Sequence, residues 1–91
     1  MMNLKEAFEH IRELPWQRNR KTGTEYGIIE SYFFKTDRVK ATCWLKHLLG
    51  MSLSMDLEIH SNDVVIERSY KNEVPDTIIQ QLKAIVIQEV E

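Results

Sequence analysis

Cys43 and His47 stand four residues apart, the separation at which a helix would set a thiol beside an imidazole as nucleophile and base. On a strand the same two residues would share a face two places apart. No glycine-rich or oxyanion-type turn accompanies them, and a cysteine that behaves as a small hydrophobe is the simpler account. Glu6, His10 and Glu13 recur at i, i+4 and i+7, a donor set that suits a divalent metal. Three ligands on a wet helix face are fewer than the four of a structural zinc site. With Lys5 and Arg12 beside them they read as a solvated stripe, and no metal or other cofactor is expected. The chain has no Gly-x-Gly-x-x-Gly, Walker, Cys-x-x-Cys, His-Glu-x-x-His or EF-hand pattern and only three glycines, which disfavours nucleotide-dependent chemistry. The expectation is a protein that is not an enzyme.

The remaining functional candidates are surfaces, and charge marks one of them. Residues 1–50 carry nine Lys and Arg against six Asp and Glu, and residues 51–91 carry three against eight. The net charge of −2 is therefore a near-cancellation of +3 and −5. Trp16, Arg18, Arg20 and Lys21 lie close together in the first half, with Arg38 and Lys40 further on. A basic segment carrying an aromatic ring is one way to hold a nucleic-acid backbone while the ring stacks on a base. Six cations are fewer than such domains usually gather. In the competing reading Trp16 folds back onto the core and the cations only keep a loop soluble.

Elements to position these residues follow from periodicity. Leu4, Ala7, Phe8, Ile11 and Leu14 form one arc of a helical wheel, and Pro15 ends the helix. Residues 15–25 lack an apolar period and carry Gly23, so they read as an exposed loop. Tyr26–Phe34 has strand composition, although Glu30 interrupts the face shared by Ile28 and Tyr32. Residues 51–60 alternate apolar and polar, Ser61-Asn62-Asp63 supplies a turn, and Val64–Tyr70 returns as the second strand of a hairpin. Pro75 and Asp76 open a last helix that runs to about Val90.

Residues 38–49 fit two templates. As a helix, Ala41, Trp44, Leu45, Leu48 and Leu49 form an arc with Asp37 as N-cap and Gly50 as the terminating glycine. As a strand, Val39, Ala41, Cys43 and Leu45 share a face against Lys40, Thr42, Trp44 and Lys46. Ala41, Leu45, Leu49, Gly50, Met51 and Ser52 resemble the first helix and turn of a helix-turn-helix. The recognition helix that should follow is excluded by the period-two pattern and the acids of Ser52–His60.

These elements make one domain over residues 1–91, since a chain this short has no material for a second core. The expected class is α+β: an antiparallel sheet of three or four strands covered on one face by the N-terminal and C-terminal helices. A single cysteine, charges from the fifth residue onward and no apolar run of about 20 residues lead to an expected cytoplasmic location without membrane association. The apolar arc of the last helix is wider than one packing face needs. The expected function is a small adaptor, inhibitor or regulator that binds another protein or itself as a homodimer. Its interface would use Ile79, Val86, Ile87 and Val90. The alternative is nucleic-acid binding through the basic Trp16 segment.

Overall fold

The computed structural model describes the backbone of residues 1–49 and 52–90, and the side chains over the same range except those of 52, 89 and 90. A short strand β1 (Met2–Asn3) leads into helix α1 (Leu4–Arg12). Five strands follow: β2 (Arg18–Thr24), β3 (Gly27–Lys35), β4 (Val39–Leu48), β5 (Ser52–Ser61) and β6 (Val65–Tyr70). A second short strand, β7 (Glu73–Val74), precedes helix α2 (Asp76–Val90). The five long strands form an antiparallel meander in the order β2-β3-β4-β5-β6, and β1 pairs with β7. No helix among the described residues is long and apolar enough to cross a membrane.

Local chemistry accounts for the ends of these elements. Asn3 caps α1: its Oδ1 accepts from the Glu6 backbone N–H at 2.8 Å, and its Nδ2 donates to Glu6 Oε1 at 3.0 Å. Beyond the C-terminus of α1, Trp16 Nε1 donates at 2.6 Å to the Ile11 carbonyl, which also accepts from the Leu14 backbone N–H at 3.3 Å, and so ties the ring to the helix end. Thr36 Oγ1 accepts from the backbone N–H groups of Arg38 and Val39 and closes the β3–β4 turn. The β5–β6 hairpin closes through Ser61, whose backbone and hydroxyl both meet Val64.

One expectation changes and one open alternative closes. Residues 18–24 form a strand rather than part of a loop, which brings the sheet to five strands instead of three or four. All seven residues of β2 are exposed, so no alternation of apolar residues announced it. Its order comes from the backbone ladder to β3, from Arg18 opposite Phe33 to Thr24 opposite Gly27. Residues 39–48 form a strand paired on both sides, and Asp37 lies in the preceding turn rather than at a helix N-cap. Sequence period alone could not separate the two templates; hydrogen bonding to two neighbours does. Gly50 and Met51, which the helical reading placed at its end, lie outside the described residues.

One core joins sheet and helices. Leu4, Ala7, Phe8 and Ile11 of α1, and Ile79, Leu82 and Val86 of α2, are buried together with Tyr32, Phe34, Ala41, Cys43, Leu45, Met55, Leu57 and Ile59. Those strand residues alternate along β3, β4 and β5 and lie opposite one another in register, so they share one face of the sheet. Much of the wide apolar arc of α2 is thereby used internally: Ile78 and Ile85 are partly buried against the same cluster, and Ile87 is 44% exposed. The other sheet face is not part of this core.

Gly27, at the start of β3, has φ of 144° and lies against the backbone of β4. A Cβ built there would stand 2.1 Å from the His47 carbonyl oxygen. Replacing it combines backbone strain with a main-chain clash. Gly27→Ala is expected to cost about 1–3 kcal/mol and to lower the melting temperature by roughly 5–15 °C for a domain of this size. Thermal unfolding followed by circular dichroism measures this, and an unchanged transition would contradict the close approach of β3 and β4.

Candidate functional site

The two catalytic candidates do not assemble. On β4, Cys43 and His47 are about 13 Å apart along the strand, four residues at about 3.3 Å each. Cys43 is fully buried, and burial pushes its thiol far above its ordinary range, which suits a core residue and not a nucleophile. On α1, Glu6 is engaged with the Asn3 cap, and His10 Nδ1 meets Lys83 Nζ of α2 at 2.7 Å. Among the described residues no group of three His, Cys, Asp or Glu side chains could hold a metal ion.

His47 instead joins a network centred on Glu30. The Glu30 carboxylate is buried on the helix side of β3 and receives Arg12 in a two-pronged contact, Nε to Oε1 at 3.1 Å and Nη2 to Oε2 at 2.6 Å. Tyr32 donates its hydroxyl to Oε1 at 3.0 Å, and His47 Nε2 lies 3.6 Å from Oε2. The His47 ring also meets Phe8 edge-on at 5.1 Å between centroids. The hydrogen bonds from Arg12 hold the Glu30 carboxyl below the usual carboxylate range against the opposing effect of burial. Burial, reinforced by Glu30, raises the Tyr32 hydroxyl. Both carboxylate oxygens are occupied by protein donors, so this cluster locks α1 to the sheet and has little capacity left for a substrate.

The open face of the sheet is different, because no helix among the described residues packs on it, although Thr42 is buried among its neighbours. Reading the register across the strands places Arg18, Phe33, Thr42, Glu58 and Glu67 in one row, and Arg20, Ser31, Trp44, Asp56 and Ser69 in the next. The Arg18 guanidinium lies 4.3 Å from the centre of the Phe33 ring, a cation–π arrangement that orders both side chains. A cleft of about 690 Å³ runs between β2 and Trp44, lined by Arg18, Arg20, Ser31, Phe33 and Thr42. A second hollow of about 340 Å³ lies on the other side of Trp44, among Asp56, Glu58, Glu67 and Ser69. Within it Asp56 is bonded to Lys46 and Ser69, and His60 lies 3.2 Å from Glu67. Burial acts to raise the Asp56 carboxyl, but the Lys46 and Ser69 hydrogen bonds outweigh it and hold it low. The face therefore carries Arg18 and Arg20 at β2, Phe33 and Trp44 towards its centre, and Glu58, Glu67 and the Lys46-paired Asp56 at β5 and β6, where Arg68 also lines the hollow.

Of the cationic residues selected from the sequence, only Arg18 and Arg20 line this cleft. Trp16 is held at the end of α1, with its ring 5.7 Å from that of Tyr32. Lys21 pairs in register with Glu30 and so falls on the helix-side face, where its charge helps hold the Glu30 carboxyl down. Arg38 occupies the β3–β4 turn, and Lys40 stands opposite Lys35 at one end of the sheet. The six do not form one patch. Nor do the four apolar interface candidates: Ile79 and Val86 are fully buried in the chain's own core, Ile87 is half-exposed, and the side chain of Val90 lies outside the described residues. Burial of Ile79 and Val86 under the sheet removes them as a surface for a partner.

Sequence reasoning passed over Phe33 and Trp44 as site residues. The strand template for 38–49 did hold a signal for Trp44, since it set that residue on the polar face beside Thr42 and Lys46. Comparison with protein-family models, with curated proteins and with solved structures finds no match.

The Glu30 network makes a pH prediction. The folded pKa of Glu30 lies below its unfolded value, so its stabilisation is complete above the ordinary glutamate range, near pH 4.3, and is lost as pH falls through the folded value. Glu30→Gln leaves Arg12, whose side chain is 39% exposed, without its charged partner but still in reach of water, and is expected to cost about 1–2 kcal/mol at neutral pH. The same variant flattens the loss of stability at acid pH. Urea unfolding of both proteins between neutrality and about pH 3 reads out both effects, and parallel pH profiles would show that Glu30 carries no linked proton.

Proposed function

We propose that this protein is a non-enzymatic interaction module that binds a protein partner on the open face of its sheet, centred on Trp44. The observation that carries the reading is the pair of hollows flanking Trp44, one lined by Arg18 and Arg20 and the other by Glu58, Glu67, Arg68 and the Lys46-paired Asp56, on a sheet face that no helix among the described residues covers. Aromatic and arginine side chains around a concave centre are the residue types that concentrate binding energy at protein interfaces. The reactive residue types support it from the other side: Cys43 is sealed in the core, and His47 and Glu30 are spent on the packing of α1. On α2, by contrast, Ile79 and Val86 are fully buried in the chain's own core.

Nucleic-acid binding has one observation in its favour, the placement of Arg18 and Arg20 beside Phe33 and Trp44, a combination that stacks bases and tracks phosphates. Asp56, Glu58 and Glu67 on the same face oppose it, because a strand crossing the sheet would meet three carboxylates.

A photo-crosslinking residue at position 31, in the cleft, is expected to give protein adducts that the same residue at position 5, on the solvent side of α1, does not. Trp44→Ala should weaken that binding by roughly 10- to 30-fold, the scale of an interface hot spot. The anisotropy of a labelled single-stranded oligonucleotide is expected to stay at its free value even at about 50 mM salt. Equal adduct yields from positions 31 and 5 would defeat the reading. Oligonucleotide binding that falls steeply with salt and with Arg18→Glu plus Arg20→Glu would install the nucleic-acid reading in its place.

A further inference from the structure

We infer that the partner on the open face is a second copy of this chain, packed face to face about a two-fold axis that runs along β4. The inference rests on the reading of that face as a binding surface and deepens it. β4 is the middle strand of five. Rotation about an axis parallel to it carries β2 of one copy over β6 of the other and β3 over β5, and keeps every residue at its own level along the strands.

The register then decides which charges meet. Arg18 is level with Glu58 and Glu67, so the rotation sets it against the carboxylates of its partner. Arg20 is level with Ser69, which the rotation sets opposite it, and with Asp56 one strand further in, whose carboxylate is already held by Lys46 and Ser69, so the Arg18 row carries the charge pairing. Each contact occurs twice, as an isologous interface requires. A face with cations on one flank and carboxylates on the other is the complement of itself under this one rotation, whereas a rotation about an axis perpendicular to the strands, in the plane of the interface, sets β2 over β2 and cation over cation.

Residues on the axis face their own counterparts, so they must be uncharged or already neutralised. Thr42 and Trp44 are uncharged, and Leu48, further along the same strand face, is an exposed apolar residue. Lys46 is paired with Asp56 in its own chain. Lys40 falls at the end of the sheet, where its long side chain extends to solvent at the rim. Five strands about 4.8 Å apart, with roughly eight residues each at about 3.3 Å, give a face near 24 by 26 Å. That is about 600 Å² per copy and about 1,200 Å² for the pair, the lower bound for a stable specific interface. Two sheets of this kind pack about 10 Å apart, and the axis along β4 keeps the central strands of the two copies parallel, so the dimer is a four-layer stack with Trp44 at its centre.

Charge exchange tests this directly. At about 100 µM and about 50 mM salt, sedimentation velocity of the full chain is expected to give twice the monomer mass of 10.8 kDa. Arg18→Glu with Arg20→Glu, and separately Glu58→Arg with Glu67→Arg, should each weaken self-association at least tenfold while leaving the far-ultraviolet circular dichroism spectrum unchanged. All four positions are on the solvent face. An equimolar mixture of the two variants should recover the dimer, because each then presents the complement of the other; a variant that had merely unfolded could not do so. A monomeric wild-type chain at this concentration overturns the inference, as do variants that dimerise like the wild type or a mixture that stays monomeric. Adducts to a different protein from position 31 of a monomeric chain would overturn the second copy and leave the open-face reading standing. A monomer with no adducts would remove both.

Discussion

The arrangement depends on β4 being hydrogen-bonded on both sides. Its ten residues pair with β3 along one edge and with β5 along the other, and that double ladder settles which way every side chain of the segment points. Val39, Ala41, Cys43 and Leu45 are committed to the helix side, and Thr42, Trp44 and Lys46 to the open side. A one-residue slip would bury Lys46 and Trp44 under the helices and expose the whole apolar row. Because the helices dock on that row, the core, the Glu30 network and the open face all follow from one register.

The two faces of the sheet solve opposite problems. On the helix side a carboxylate is tolerated at Glu30 only because Arg12, Tyr32 and Lys21 surround it with positive or donating groups. A pair of this kind adds little net stability over a well-packed apolar residue, yet removal of Arg12 leaves the buried Glu30 carboxylate without its main counter-charge, while Arg12 itself stays partly wet. Its effect is directional: it fixes where the C-terminal turn of α1 meets β3. On the open side the charged groups stay partly wet, and their arrangement governs encounter and orientation more than raw affinity.

The edge strand β2 connects these themes. With Arg18, Arg20 and Lys21 among its seven residues it lacks apolar contacts of its own and is held by backbone pairing and by Arg18 lying over Phe33. Charge along an edge also discourages pairing with further strands, so the same cations that shape the cleft protect the sheet from open-ended growth.

Legibility in the sequence divides along a physical line. The helical arc of Leu4, Ala7, Phe8 and Ile11, the alternation of residues 51–60, the Ser61 turn and the start of α2 at Pro75 and Asp76 were readable, because each is a local period or a local cap. The α+β class with an antiparallel sheet followed from those elements, and the number of strands did not. β2 was not readable, since its partner is Gly27–Lys35 and its own residues carry no apolar signal. The 38–49 segment satisfied two periods at once, and only its two neighbours chose between them. The apolar surplus of α2 was visible, but Ile79 and Val86 are buried in the core shared with α1 and the inner strands. The acids and bases were countable as +3 and −5. Their placement on opposite flanks of one face was decided by strand order, a long-range property that no stretch of chain contains by itself.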